Sequence, residues 1–217
     1  MKEGFKKYGH GLYAMYIFIY LPWFFYLEGR TTITYTEVHC FLDDLIPFCE
    51  IFIIPYILWF FYMIITCIFM YFKAERGEFR RFALALIIGM STAMLICQFF
   101  PNCVKLRPPV LEQKGILTGL ISGLYTIDTS TNVFPSVHVL NSLIACVALE
   151  RNRYFKKSCL LRIANIILCI LICLSTLFLK QHSVLDLLGG IVLYIILFVV
   201  LYIPDWKIFR DKEVLHP

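Results

Sequence analysis

Six long apolar segments restrict the possible folds of this chain more than any other feature. They cover residues 11–27, 51–72, 82–100, 133–149, 163–179 and 184–203. A helix needs about 20 mainly apolar residues to cross a bilayer core of about 30 Å. We therefore predict an all-α protein: a polytopic membrane bundle of six transmembrane helices, joined by short loops and short interfacial helices.

The composition supports this interpretation. The chain is 60% hydrophobic and 16% charged, whereas soluble domains usually carry about 25% charged residues. The mean hydropathy of +0.77 is correspondingly high. No change in composition marks a domain boundary, so residues 1–217 are predicted to form a single integral-membrane domain.

Basic residues predict the orientation, because cytoplasmic loops usually carry the excess of lysine and arginine. If the N-terminus is cytoplasmic, five of the 20 basic residues fall outside and the rest inside. Those five are Arg30, Lys105, Arg107, Lys114 and Lys180. We predict cytoplasmic termini in the plasma membrane. The basic residues are scattered over short loops, which argues against a nucleic-acid partner.

Cysteine usage is uninformative about chemistry. The nine cysteines include no C-x-x-C pair, and the sequence suggests no metal site built from them. Cys40, Cys49 and Cys103 are predicted to lie outside, where a disulfide is possible. The sequence does not choose a pair among them.

Polar residues capable of chemistry occur at three places, all on the predicted outer side. The loop PNCVKLRPP contains Lys105 and Arg107, the fourth segment opens with PSVH, and KQHSVLD joins the last two segments. His182 and Asp186 are four residues apart and therefore share one helix face. A carboxylate in that position can fix the imidazole tautomer and make the other ring nitrogen a better nucleophile.

The PSVH stretch predicts an anion site at a helix start. A proline suits the first turn of a helix, and Thr131 or Asn132 could cap it. The amides of Ser136, Val137 and His138 would then be free donors for a phosphate group. Arg107 would add a planar, permanently charged fork for phosphate oxygens.

Together these motifs resemble those of the type 2 phosphatidic acid phosphatase superfamily. That family usually carries K-x(6)-R-P, P-S-G-H and S-R-x(5)-H-x(3)-D, and here the order runs from Arg107 to Asp186. The resemblance implies that His182 attacks phosphorus, that Asp186 orients it, and that His138 protonates the leaving group. It also implies that Arg107 and Ser136 hold the phosphate.

Three positions depart from the family pattern. Phe100 replaces the lysine of the first motif, Val137 the glycine of the second, and Thr176 the arginine of the third. Two phosphate-binding cations are therefore missing. We hypothesise that Lys180 supplies the missing charge, with Lys105 as the alternative, because either could reach the phosphate on a flexible stem.

These observations predict an enzyme that hydrolyses a lipid phosphate monoester or diphosphate through a phosphohistidine at the outer membrane interface. Its partners would be that substrate and membrane lipids, and it would need no cofactor. The alternative is a lipid phosphotransferase of the sphingomyelin-synthase kind. A third interpretation is a metal site of His138, His182 and Asp186, or a non-catalytic protein that binds polar lipids or haem between the histidines. Neither the lipid nor the oligomeric state follows from the sequence.

Two further segments flank the predicted site. Residues 115–125, GILTGLISGLY, carry Gly115, Gly119 and Gly123 at four-residue spacing, which favours close helix contact. We predict a short interfacial helix packed over the site against the apolar part of the lipid. Asp43 and Asp44 are predicted to be solvated residues on another short interfacial helix.

Overall fold

The computed structural model describes residues 9–108, 115–204, 206 and 209. Lys114 and the basic residues of the two chain ends, which contributed to the predicted orientation, lie outside the described residues. The α-helices are α1 (Ile17–Glu28), α2 (Phe41–Leu45), α3 (Ile53–Lys73), α4 (Arg76–Phe99), α5 (Ile116–Ile127), α6 (Val137–Arg151), α7 (Cys159–Phe178) and α8 (Val184–Tyr202). Short 3₁₀ helices cover Gly9–Tyr16, Glu50–Phe52 and Phe155–Lys157.

The all-α fold is confirmed, and each of the six predicted segments contains a helix. Among the described residues, four helical segments are long and apolar enough to cross a membrane, namely Glu50–Lys73, Arg76–Phe99, Cys159–Phe178 and Val184–Tyr202. The first predicted segment is a 3₁₀ helix followed by the 12 residues of α1, and the fourth is the 15-residue α6. That these two also cross the membrane stays a prediction.

Helix α6 is surrounded by other helices. It packs against α3, α4, α7 and α8, and Leu140, Ile144 and Ala145 on it are fully or almost fully buried. A helix enclosed by protein needs no continuous apolar surface toward lipid, which explains why polar residues such as Asn141 and Ser142 are tolerated there. The longer helices instead expose apolar side chains at the bundle surface, for example Phe61 on α3.

Most connections that carry the predicted functional residues meet at one end of the bundle. There the only sheet in the described chain forms: β1 (Thr36–Glu37) pairs in parallel with β2 (Asn102–Cys103). A bridge between Cys103 and Thr131 adds the segment that leads into α6. The opposite end holds the basic loops, where Asn152 donates to Glu78 and Arg153 pairs with Glu75.

Helices α6 and α8 approach each other closely where both begin. Gly190 on α8 faces the Ser136 carbonyl, and a Cβ at this position would lie 2.8 Å from that oxygen. A Cβ on Gly189 would lie 2.6 Å from the Phe134 ring. Only glycine permits this approach, which brings the PSVH and HSVLD motifs side by side.

Candidate active site

His182 lies in the turn between α7 and α8. The turn begins with a Schellman motif, in which the Lys180 amide donates to the Leu177 carbonyl and the Gln181 amide to the Thr176 carbonyl. The His182 amide also donates to the Thr176 carbonyl, at 3.1 Å. These bonds satisfy the last carbonyls of α7 and hold the imidazole at the start of α8.

Asp186 lies beside His182, as the i, i+4 spacing predicts. Its Oδ2 is 3.4 Å from His182 Nδ1 and also accepts the Ser183 amide at 2.8 Å. Ser183 in turn caps α8, with its hydroxyl accepting the Leu185 amide. The approach to His182 is long for a hydrogen bond, but catalytic contacts often shorten only when substrate binds. Asp186 is fully buried, so a single carboxylate both caps the helix and faces the imidazole.

His138 lies one residue into α6, but the start of this helix differs from the prediction. The N-cap is Ser136, whose hydroxyl accepts the Val139 amide, and neither Thr131 nor Asn132 takes this role. Pro135 therefore precedes the cap. The Ser136 amide is not free, because it donates to the Asp186 carbonyl at 3.0 Å. The Val137 and His138 amides, at the first two helical positions, have no acceptor within the helix.

The two histidines face each other across the α6–α8 contact. Their ring centroids are 5.8 Å apart at an interplanar angle of 63°. The His138 ring also packs on Trp59 and Tyr56 of α3, with centroid distances of 4.2 and 4.8 Å. Its Nε2 is buried and has no hydrogen-bond partner among the described residues. The two imidazoles are therefore close neighbours in the folded chain.

Arg107 is close to the histidines but engaged with the protein. Its guanidinium donates to the carbonyls of Tyr125 and Asp128 and to the Gln181 side chain, and it stacks over the Tyr125 ring at 4.3 Å. Burial lowers the pKa of Arg107 from its ordinary value, while the Asp128 carboxylate opposes that shift. Its Nε is buried and lacks a partner in the described part of the chain.

Lys180 does not occupy the position that we hypothesised. Its ammonium donates to the carbonyls of Asp43 and Ile46, at 2.7 and 2.5 Å. Thr176, where the family has arginine, is fully buried, and its hydroxyl donates to the Cys173 carbonyl. Lys105 is exposed and pairs with Glu37. Phosphate contacts by these lysines stay predictions without support in this geometry.

A cavity of about 430 Å³ opens beside the histidines. Its apolar walls come from α1, α3, α4 and α5, and its polar side includes both His138 and His182. Val137 also lines it, whereas Arg107, Ser136, Lys180 and Asp186 do not. The other polar residues on the wall are Glu28, Asp128, Thr129, Thr131, Asn132 and Gln181.

Helix α5 covers one side of this cavity, as predicted, but not through its glycines. Leu124 and Ile127 line the cavity, and the Tyr125 hydroxyl donates to the Leu179 carbonyl. A Cβ added to Gly115, Gly119 or Gly123 would have no described atom within 4 Å. The expectation of close helix packing along this stripe is therefore wrong.

The structure also places two carboxylates near the histidines that the sequence did not assign to the site. Asp43 is only 2% exposed, contrary to the predicted solvated position, whereas Asp44 is exposed and pairs with His39. Asp128 lines the cavity and accepts the Tyr56 hydroxyl. A sequence signal for Asp128 exists, because it is a lone carboxylate in a polar stretch ahead of PSVH.

Two alternatives receive no structural support. Within the described residues, no group of three or more histidine, cysteine, aspartate or glutamate side chains could hold a metal ion. Cys40, Cys49 and Cys103 are all free thiols, so the possible disulfide among them is not present in this structure.

Fold and site together define a class: a helical membrane protein with two facing histidines, one backed by a carboxylate, beside an apolar cavity. The family model of the PAP2 superfamily matches residues 82–210. This is more than half of the chain, so the chain belongs to the PAP2 superfamily. The match confirms the resemblance to the type 2 phosphatidic acid phosphatase superfamily that the sequence motifs indicated. No curated protein and no solved structure gives a significant match. Members of the superfamily are generally phosphatases or phosphotransferases, which supports phosphate chemistry and an enzyme.

Proposed function

We propose that this protein hydrolyses a lipid phosphate monoester or diphosphate through a phosphohistidine. The observation that carries the proposal is that His182 and His138 face each other at the polar side of an apolar-walled cavity. A lipid can keep its chains among the aromatic and aliphatic side chains while its phosphate meets the imidazoles. A water-soluble ester would leave those apolar walls without a partner.

The chemistry runs in two steps. In the first, His182 Nε2 attacks phosphorus, the bond to the leaving oxygen breaks, and His138 gives that oxygen a proton. Asp186 accepts from Nδ1 and stabilises the positive charge that develops on the ring. In the second, His138 takes a proton from water as the water attacks the phosphohistidine, which releases phosphate and restores His182.

Charge on the phosphoryl group is met by groups around the histidines. The Val137 and His138 amides lie at the positive end of α6, whose dipole favours an anion. Arg107 lies behind Gln181 and adds a fixed positive charge. In our proposal the buried Ser136 hydroxyl acts by holding the α6 terminus in place.

Transfer to an alcohol is a second candidate, and one observation favours it. The cavity wall carries Asp128, a carboxylate that hydrolysis does not use, hydrogen-bonded to Tyr56. A carboxylate there could accept a hydrogen bond from a hydroxyl that replaces water in the second step. Purified protein should be incubated with a panel of lipid phosphates, with and without diacylglycerol or ceramide, and scored for free phosphate and for new phospholipid.

In this assay His182→Ala should abolish turnover and leave no acid-labile phosphoenzyme. Asp44→Asn, a change at an exposed residue that pairs with His39 and does not line the cavity, is the matched control and should keep wild-type activity. Free phosphate as the main product supports hydrolysis, and new phospholipid supports transfer. Wild-type protein that behaves like His182→Ala with every lipid refutes both.

We further propose that the whole chain is one membrane domain with cytoplasmic termini and an outward-facing site in the plasma membrane. The predicted charge distribution supports this orientation, since the basic loops lie at the end opposite the histidines. In a variant without native cysteines, Lys105→Cys should react with an impermeant thiol reagent in intact cells, and Tyr154→Cys should not. The reverse pattern would put the site in the cytoplasm.

A further inference from the structure

The N-terminal part of the chain contributes a charged contact to the turn that carries His182. Asp43, on the short helix α2, lies outside the region matched by the family model. Its carboxylate accepts the Ser183 hydroxyl at 2.6 Å and the Val184 amide at 2.8 Å. It also accepts the Cys40 amide at 2.8 Å, so one carboxylate joins α2 to the start of α8.

Asp43 is joined to the turn a second time, by a residue that precedes His182 in the chain. Lys180 reaches back and donates to the carbonyls of Asp43 and Ile46, at the end of α2. His182 therefore lies between two anchors, with Lys180 two residues before it and Ser183 directly after it. Both anchors end on a single five-residue helix.

The backbone at Lys180 indicates that its side chain matters. Its φ of 56° lies in the left-handed region, and the residue takes the Schellman position that glycine usually occupies. A lysine is less favourable there than glycine, because its Cβ crowds the following carbonyl oxygen. Backbone strain of this kind is often found next to functional groups. The contacts of the ammonium give a physical reason for a lysine at this position.

Asp43 is held as a carboxylate despite its burial. Burial alone would raise the pKa of Asp43, but the hydrogen bonds from Ser183, Val184 and Cys40 outweigh it and lower the pKa below its ordinary value. The charged form is also favoured by the N-terminus of the 19-residue α8, toward which this carboxylate points. Neighbouring Asp44 has no such contacts and is exposed.

We propose that Asp43 and Lys180 are positioning residues, which fix the turn so that His182 stays aligned with Asp186 and with the phosphoryl group. This inference rests on the proposed function. It assigns Lys180 a role through the protein backbone, in place of direct charge on the phosphate. It also makes α2, which the family motifs do not include, a part of the active-site framework.

The test separates alignment from phosphate binding. Orthovanadate, which resembles a phosphoryl group in transit, and inorganic phosphate are titrated into purified protein by calorimetry, and kcat and KM are measured in parallel. Asp43→Asn keeps the side-chain shape but removes the charge. It should weaken orthovanadate binding and lower kcat by about tenfold to 100-fold, the scale of a small misalignment, with phosphate affinity and KM unchanged.

Lys180→Gly tests the second anchor without depending on the first. Glycine adopts the left-handed turn more easily, so the thermal stability of the fold should not fall, yet kcat and orthovanadate affinity should. Asp44→Asn is the matched control with wild-type values. Comparing Lys180→Gly with Asp44→Asn tests the proposal even if Asp43→Asn fails to fold.

The outcomes are distinct. If Lys180→Gly weakens phosphate binding and raises KM, Lys180 touches the phosphate, and positioning is wrong. If Asp43→Asn or Lys180→Gly folds and equals Asp44→Asn in every measurement, positioning is also wrong. Wild-type protein with neither turnover nor orthovanadate affinity refutes the proposed function itself, and the positioning role with it.

Discussion

Two glycine-containing regions, on α8 and on α5, use glycine in opposite ways. On α8, Gly189 and Gly190 lie so close to the segment before α6 that an added carbon would overlap it. On α5, a Cβ added to Gly119 or Gly123 would meet no atom of the described residues within 4 Å. The adjacent glycines on α8 form a close helix contact, while the regularly spaced glycines on α5 form none with the described part of the chain. Spacing alone therefore does not indicate where helices touch.

The two regions, the α6–α8 contact and helix α5, also have different roles. The α6–α8 contact brings the two histidines together, and its closest approach to Gly190 is the Ser136 carbonyl. Helix α5 is held at its C-terminal end, where Tyr125 donates to Leu179 and Arg107 to the Tyr125 carbonyl. We therefore expect changes at the first region to affect chemistry, and changes at the second to affect how lipid is held.

The largest effect is expected for Gly190→Leu. A side chain there would push against the Ser136 carbonyl and separate α6 from α8, which moves His138 away from His182. We expect near-complete loss of kcat/KM and a loss of stability of about 1–3 kcal/mol from overpacking. Thermal unfolding and turnover of the purified variant measure both. Gly119→Leu is the matched control, and equal losses in the two variants would contradict the comparison.

His138→Ala removes the chemistry of the α6–α8 contact while leaving its backbone intact. Loss of a general acid should lower kcat by about 10²–10⁴-fold for a lipid ester. The loss should be much smaller for an activated aryl phosphate, whose leaving group needs no proton. Parallel assays with the two substrates measure the ratio. The same loss with both would count against the acid role of His138.

Ile127→Ser tests the cavity side of α5. This side chain lines the cavity and is 83% exposed, so its loss removes apolar contact with little effect on the fold. Hydrophobic contacts of this size discriminate substrates by about tenfold. We expect kcat/KM to fall by that factor for a long-chain lipid phosphate and to stay unchanged for a short soluble ester. A uniform fall would show that α5 serves the chemistry instead.

The smallest effect is expected for Gly119→Ala. Alanine replaces glycine in a helix with a gain of about 0.5–1 kcal/mol, and the added carbon meets no described atom. Thermal stability should rise slightly, with activity unchanged toward both kinds of substrate. A destabilised or inactive variant would mean that the glycine stripe packs after all, against a surface such as a second molecule.

Much of the fold follows from local sequence patterns. Apolar length predicts the helices, and the spacing of His182 and Asp186 predicts their contact because it depends only on helix geometry. The cap of α6 was predicted wrongly because Pro135 suggested an earlier start. Ser136 takes the cap through a local contact, in which its hydroxyl accepts the Val139 amide, and serine is among the preferred N-cap residues. The bond from its amide to the Asp186 carbonyl is the part that no local pattern contains.

The roles of Asp43 and Lys180 depend on tertiary contacts between distant segments. Asp43 and Asp44 are adjacent and chemically identical, so only the packing of α2 against the start of α8 decides which one is buried. The same contact redirects Lys180 from the phosphate to backbone carbonyls. Sequence motifs therefore predicted that His138, His182 and Asp186 lie together, while the contacts that hold them there required the three-dimensional structure.

The apolar walls of the cavity have a consequence for kinetics. Under the proposed function, a lipid whose chains contact the α1 and α3 side of the cavity would reach the histidines by diffusion within the bilayer, so the governing concentration would be its mole fraction among membrane lipids. Turnover should then fall when inert lipid or detergent is added at constant bulk substrate, a behaviour known as surface dilution. Rates measured in micelles and in vesicles become comparable only after conversion to this two-dimensional scale.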